Sequence, residues 1–401
     1  MALLDVDTVQ QQLLAAAPAT ATERCLIALA AGRILREAIS APMDVPPHDN
    51  SAMDGYALRR ADLDARHPLP ISQRLPAGAV PEPLMPGTAA RIFTGAVIPP
   101  DADCVLAQED CWLEDDKLCT DLRPMAAQHI RPRGQDIRRG QQLLSPGKRL
   151  TAADIGLLAS VGIAECDVAR RPRVALLSTG DELRSPGETL APGQIYNTNR
   201  PMLSVLLRDM GCELVDLGVI ADSAEATAAA LQQAAQNADV VLSTGGVSVG
   251  EEDHVKAQVE KLGELRVWRL AIKPGKPLAY GAIGDVPFFG LPGNPVSCFV
   301  TFCLMVRPYL LAMQGSASPL PTPQTAVADF DWPKAGSRQE YVRVTLVEEG
   351  GHRYLRLFPQ QSSGALTSVA YSNALAIIPI GETVRRGEQI GYIPFADLGA
   401  S

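Results

Sequence analysis

The spacing of apolar positions changes several times along this chain, and each change predicts a change of architecture. From Val6 to Ala17 and from Glu23 to Ala38 apolar residues recur at helical spacing, with Thr22 placed to cap the second run. The stretch Ala41-Pro42-Met43-Asp44-Val45-Pro46-Pro47 is extended and predicts a crossing between domains. Residues 58–140 have short apolar runs interrupted by Pro and Gly, which predicts a small β-rich domain. Within it Arg91-Ile92-Phe93-Thr94-Gly95-Ala96 reads as a strand ending on a Thr-Gly turn. Residues 141–172 return to a helical pattern, with Thr151 to Asp154 resembling a capping box ahead of Ile155, Leu157, Leu158 and Val161. This segment is expected to pack back on the N-terminal helices, making the first domain discontinuous.

From Arg173 the pattern alternates between short apolar runs and helical stretches. Strands are predicted at Val174 to Leu177, Glu213 to Val219, Asp239 to Thr244 and Leu265 to Ile272. Helices are predicted at Asn199 to Met210, from Ser223 as a cap to about Ala238, from Val255, and after Pro295. Repeated β-α units imply a mostly parallel sheet with helices on both faces. Beyond Pro319 the period becomes two, in Glu340 to Leu346, Tyr354 to Leu357, Ala374 to Pro379 and Gln389 to Pro394, which predicts a small all-β barrel or sandwich. The expected fold is therefore multidomain α/β plus β. Residues 1–49 and 141–172 form a helical linker domain, 50–140 a β-rich insertion, 173–319 a central α/β domain, and 320–401 a C-terminal β domain.

Composition narrows the function. The 401 residues, 46% apolar with mean hydropathy +0.04, have ample material for several cores. A net charge of −9 argues against a general nucleic-acid surface. The N-terminus has no basic region before an apolar run, so no signal peptide is expected and a cytoplasmic location is predicted. The most apolar run, Cys298 to Met313, is interrupted by Arg307 and Pro308 and falls short of the roughly 18 residues of a membrane span. The eight cysteines contain no C-x-x-C pair, and Cys298 and Cys303 are expected to be reduced core residues. The five histidines show no metal-ligand spacing.

The candidate chemistry lies where predicted strands end. Ser178-Thr179-Gly180-Asp181-Glu182-Leu183 brings carboxylates and hydroxyls, and so does the run from Ser243 through Gly245, Gly246, Ser248 and Asp253 to His254. Glycines let a backbone approach an anion, and a carboxylate such as Asp253 suits a hard divalent cation. Lys273-Pro274-Gly275-Lys276-Pro277 brings two cations on a stiff turn. In Pro292-Gly293-Asn294-Pro295 the second proline suits the first helical turn, and the free N–H groups before it would form an anion site. Each has a plainer reading: a solvated hairpin turn for the lysines, a helix cap for Asp181 and Glu182, and a β-turn into a strand for His48 to Ala57. Neither P-loop nor dinucleotide-fold glycine spacing is present, and no Ser-His-Asp or Cys-His arrangement indicates covalent catalysis. Together the loops describe a pocket for a phosphorylated ligand with a divalent metal at one edge of a sheet.

In this order, Asp49-Asn50-Ser51-Ala52-Met53-Asp54-Gly55-Tyr56-Ala57, Phe93-Thr94-Gly95, Ser178 to Leu183, Ser243 to Asp253, Lys273 to Pro277 and Leu291 to Pro295 resemble the MoeA-type molybdopterin molybdenumtransferases, the family that includes the gephyrin E domain. The resemblance covers nearly the whole chain. It implies an elongated homodimer that inserts molybdate into adenylated molybdopterin with Mg²⁺ and releases AMP. Asp253, with Glu182 or Asp222 as helpers, would hold the metal. Lys273 and Lys276 would hold molybdate or phosphate, and Ser248 with the Gly245-Gly246 backbone would donate to phosphate oxygens. Asp181 and the Pro292-Gly293-Asn294-Pro295 turn would contact substrate, with Ser297 orienting the turn. Arg343 and Ser368, with Ser363 as the other candidate hydroxyl, would complete the molybdate site, and Asp54 and Thr94 would act across the dimer. The same resemblance implies transient contacts with the adenylyltransferase and with recipient molybdoenzymes, and no nucleic-acid or membrane partner. Rival readings are an adenylyltransferase, against which the extra domains stand, and a non-catalytic scaffold. Tungstate, near-identical to molybdate in size and charge, would suit the same residues.

Overall fold

A computed structural model describes residues 3–64, 67–245 and 254–400. Its first helix, α1 (Val6–Ala16), is capped by Asp5, whose carboxylate accepts the Thr8 N–H at 2.8 Å. The helix expected over 23–38 is not formed. Thr22–Leu26 is instead a strand paired antiparallel with Glu165–Ala169, followed by a 3₁₀ turn at Ile27–Leu29. Thr22 is thus a strand residue, not a cap. Helix propensities differ by only tenths of a kcal/mol per residue, and pairing with a distant strand overrides them. Gly32, at φ 77°, then turns the chain away. The expected helical character of 141–172 is also only partial. Gln142–Leu144 pairs with Ile39–Ser40, and one helix, α2 (Ala152–Ser160), follows. The capping box is formed: Asp154 accepts the Thr151 N–H at 2.8 Å, and Thr151 accepts the Asp154 N–H at 3.3 Å.

Between these segments lies a six-stranded sheet in the order Cys104–Ala107, Gly55–Leu58, Ala89–Ile92, Leu69–Leu75, Lys117–Cys119, Trp112–Glu114. Gly55 sits on an inner strand where a Cβ would come within 1.8 Å of the Leu106 carbonyl oxygen. Close strand approach, not chemistry, therefore requires glycine at this position.

The central sheet runs Glu213–Ile220, Arg173–Thr179, Val240–Thr244, Val286–Leu291, Pro277–Ile283, Gly263–Arg269. The first four strands are parallel and the last two antiparallel to their neighbours. One face is covered by α3 (Asn199–Asp209), through Leu203, Leu206 and Leu207. The other is covered by α4 (Ala224–Asn237), capped by Ser223, and α5 (His254–Leu262). The last helix of this region, α6, runs unbroken from Pro295 to Met313. Arg307 and Pro308 do not end it. A π turn at Phe302–Val306 precedes Pro308 and relieves the clash its ring would make with the carbonyl four residues back. By length and composition α6 could cross a membrane, with mean hydropathy 1.7, but 89% of that window is buried inside the protein. All eight cysteines are free. Cys298 and Cys303 lie in this core, and burial pushes the Cys303 thiol up to about 12.

The C-terminal region closes into a five-stranded barrel: Gln339–Glu349, His352–Leu357, Gln324–Ala328, Gln389–Pro394 and Ala374–Ile378, which pairs back onto the first. Of the two expected architectures it is a barrel and not a sandwich. Val342, Val344, Leu355, Ala376 and Tyr392 fill it.

The glycines give a paired stability test. Gly55→Ala should cost about 3 kcal/mol or more through overpacking. Gly156→Ala, inside α2 with nothing within 4 Å of the new Cβ, should stabilise by about 0.5–1 kcal/mol. Thermal denaturation of both variants checks the signs.

Candidate functional site

Three parallel strands, Arg173–Thr179, Val240–Thr244 and Val286–Leu291, end at one edge of the central sheet. The antiparallel strand Pro277–Ile283 begins at that edge. A cleft of about 630 Å³ opens there, lined by Thr179, Thr244 and Pro277 of three of these strands and by the Pro292 turn that follows Val286–Leu291. This is where open α/β sheets place ligands. At its base the Ser178 and Thr244 hydroxyls hydrogen-bond at 2.8 Å. Gly245, at φ 84°, passes so close to the next strand that a Cβ would lie 2.8 Å from the Thr179 carbonyl oxygen. Its N–H donates to Leu291 at 3.2 Å, which ties two strand ends together.

One wall is the start of α6, with Pro292, Gly293, Asn294, Pro295 and Ser297 on the cleft. Pro295 occupies the first helical turn as expected. Just after it, the Val296 N–H donates to the Ser363 carbonyl at 3.0 Å. That bond docks the barrel's 362–368 loop onto the helix and brings Gly364 to the cleft. The sequence reading of Ser363 as a hydroxyl donor missed this backbone role.

The carboxylates separate. Glu182 lines the cleft, and the missing side chain of Gly180 leaves it room, since a Cβ there would meet Glu182 Oε2 at 2.5 Å. Asp181 lines a neighbouring depression, where it accepts the Asp222 N–H at 3.4 Å. Gly246, Ser248 and Asp253 lie outside the described residues. Among the described residues no group of three His, Cys, Asp or Glu is placed to hold a metal. Glu182 beside a polar cleft still suits Mg²⁺, which takes one or two carboxylates together with substrate phosphate.

The lysine turn reaches the cleft through Pro277; neither Lys273 nor Lys276 is on its wall. Lys273 instead pairs with Glu340 at 3.1 Å, and Lys276 is exposed, its carbonyl accepting from Leu270 at 2.7 Å. Arg343, 2% exposed, donates through Nε to Ser368 Oγ at 3.1 Å and through Nη1 to the Tyr341 carbonyl at 3.0 Å. Its Nη2 has no protein partner. Burial pushes this guanidinium down to about 10, opposed by the Glu340 charge, so it remains a cation at neutral pH. The structure thus joins Arg343 with Ser368, the hydroxyl chosen from sequence.

Asp54 and Thr94 also meet. Asp54 Oδ1 accepts from the Thr94 N–H at 2.7 Å and from its hydroxyl at 2.8 Å. None of the residues lining the cleft belongs to 50–140. In this chain the pair stands apart from the cleft lining.

Asn197, Thr198 and Asn199 also line the cleft and were not assigned a role from sequence. Asn199 Nδ2 donates to the Gly293 carbonyl at 2.8 Å, and Asn197 Oδ1 accepts the Arg200 N–H at 3.1 Å. The remaining amide atoms, Asn197 Nδ2 and Asn199 Oδ1, are buried without a protein partner. Leaving such groups unpaired costs about 1–3 kcal/mol each. The only sequence signal was Asn-Thr-Asn before a helix, which reads as capping.

Comparison with known proteins bears on this geometry. Residues 4–162 match a family model described as the MoeA N-terminal region (domain I and II). Residues 175–312 match one described as "Probable molybdopterin binding domain", and 325–395 the MoeA C-terminal region (domain IV). The chain is 39% identical to a molybdopterin molybdenumtransferase of Haemophilus influenzae, covering 99% of this chain and 100% of the relative. It is 37% identical to one of Nostoc sp., covering 88% and 84%. A crystal structure of a molybdopterin biosynthesis moeA protein from Pyrococcus horikoshii superposes with a TM-score of 0.83 at 30% identity, covering 98% of this chain and 100% of that one.

The Asp54–Thr94 pair predicts a titration. The Thr94 N–H, and secondly its hydroxyl, hold the Asp54 carboxyl below the usual carboxylate range. The stabilisation this gives is present above the unfolded value of about 3.9 and lost as pH falls through the lower folded value. Thr94→Val keeps the N–H and removes the hydroxyl. NMR titration of Asp54 in that variant should show a partial return toward the ordinary value; an unchanged titration would contradict the assignment.

Proposed function

This chain belongs to the MoeA-type molybdopterin molybdenumtransferases, transferases that insert molybdenum in cofactor biosynthesis, and we propose that it does so on adenylated molybdopterin, with molybdate entering the dithiolene and AMP leaving. The observation that carries this reading is the cleft itself, about 630 Å³ with hydroxyl, amide and carboxylate groups on its walls. That volume is within the usual range for small-molecule sites, roughly 300–1,000 Å³.

The residues divide the work. Thr244, Gly245, Ser297 and the Gly293-Asn294 turn face the phosphates; Gly246 and Ser248, next in sequence, would donate to the same oxygens. Asn197 and Asn199 offer amide groups to a heteroaromatic or ribose edge. Asp253 and Glu182 would hold Mg²⁺. When bound, the ion would offset charge on the phosphoanhydride and on the departing AMP. Arg343, Ser368, Lys273 and Lys276 hold the oxyanion. Catalysis is then mainly fixed donors and charges aimed at developing negative charge, without a covalent intermediate.

Because no residue of 50–140 lines the cleft, Asp54 and Thr94 would act there from a second subunit of a homodimer. The segments 1–49 with 141–172, 50–140, 173–319 and 320–401 are proposed as the units of each subunit. A cytoplasmic enzyme that hands its product to recipient molybdoenzymes is consistent with this reading.

The test is AMP release from adenylated molybdopterin with Mg²⁺ and molybdate. Asp253→Ala should abolish release while calorimetry still shows the ligand bound. Normal turnover in this variant would remove Asp253 from the site.

A further inference from the structure

The lysine turn is held from two sides. Ile272–Lys273 runs parallel to Gln339–Glu340 of the barrel, with Lys273 opposite Glu340. The Gln339 N–H donates to the Ala271 carbonyl at 2.8 Å, and Arg338 Nη1 to the Ile272 carbonyl at 3.1 Å. On the other side the Leu4 N–H donates to Arg269 at 2.9 Å, and the Ala271 N–H to Leu4 at 2.7 Å. Backbone bonds therefore already dock this segment.

The Lys273–Glu340 ion pair is an addition to that docking. Nζ and Oε2 are 3.1 Å apart, with the lysine side chain 50% exposed and the carboxylate 8%. The Trp332 ring lies 5.9 Å from the same ammonium. The protein makes room for the carboxylate: at Gly336 a Cβ would come within 2.7 Å of Glu340 Oε1. A half-exposed ion pair contributes little stability, and burying a carboxylate is a cost. Docking needs neither. What the pair does supply is a fixed place for an ammonium on a flexible stem, beside a strand that also carries the buried Arg343. The charge of Glu340 also supports that of Arg343 against burial.

We infer that Glu340 is a positioning residue of the oxyanion site: its buried carboxylate fixes the Lys273 ammonium across the junction between lysine turn and barrel. This rests on the reading that Lys273 and Arg343 hold the oxyanion. Glu340 touches neither substrate nor reacting atoms in this account. It acts through Lys273, so its removal raises the molybdate requirement rather than lowering the chemical step.

The test uses Lys273→Met, Glu340→Gln and the double variant in the full-length protein. Molybdate KM and kcat are measured by AMP release, with melting temperature and calorimetric binding of AMP alongside. Glu340→Gln should raise the molybdate KM roughly tenfold, the order expected for a lost charge-assisted contact. Its kcat should fall less than about twofold, with melting temperature and AMP binding unchanged. The double variant should be no worse than Lys273→Met, and Glu340→Asp should recover part of the loss. A raised KM in Lys273→Met but not in Glu340→Gln would overturn this inference alone. So would additive effects, or a general fall in melting temperature and AMP binding. An unchanged KM in Lys273→Met would overturn the oxyanion reading, and the inference with it.

Discussion

The site depends on the burial of one helix. α6 contributes Phe299, Val300, Phe302, Leu304, Met305, Tyr309 and Leu310 to a core that also holds Val6, Val9 and Leu13 of α1, the leucines of α3, and Tyr341, Leu375 and Ile393 of the barrel. A single apolar cluster therefore spans the N-terminal, central and C-terminal regions. Pro308 cannot donate to the Leu304 carbonyl, and the buried Gln10 side chain does so at 2.7 Å. The same helix begins at the cleft wall. Its position, set by hydrophobic burial along its length, fixes where Gly293, Asn294 and Ser297 stand. It also fixes where the barrel loop can dock.

Electrostatics explain why the site is built from neutral donors. The chain carries a net charge of −9, so its overall field does not favour an anionic ligand. Binding has to come from local groups: hydroxyls, backbone N–H groups, amides and a few placed cations. Two cations proposed for the oxyanion are tied down, Arg343 by Ser368 and Tyr341, and Lys273 by Glu340. Both contacts involve barrel residues. On the proposed reading the barrel is part of the site, and the sheet edge without it would lack these contacts.

Much of the architecture was legible because it follows from local pattern. The α/β alternation after Arg173, the Ser223 cap and the Thr151–Asp154 box depend on residues close in sequence. The period-two strands after Pro319 gave a β region, but only pairing between distant strands decides barrel over sandwich. The same limit explains the error at 23–38. Its helical spacing is real, yet Thr22–Leu26 finds its partner at Glu165–Ala169. At the site, glycine and lysine loops announce themselves by composition. Asn197 and Asn199 do not, because asparagine before a helix has a simpler use. The Val296–Ser363 bond could not be foreseen, since it joins the backbones of two separate regions.

On this reading the sheet edge, the start of α6 and the docked barrel loop form one site. A crystal structure of the protein with AMP, Mg²⁺ and molybdate tests it most directly. The account predicts the AMP phosphate against Thr244, Gly245 and Ser297, and the oxyanion within hydrogen-bond reach of Arg343 and Lys273. AMP bound away from the cleft, or an oxyanion that engages neither Arg343 nor Lys273, would contradict it.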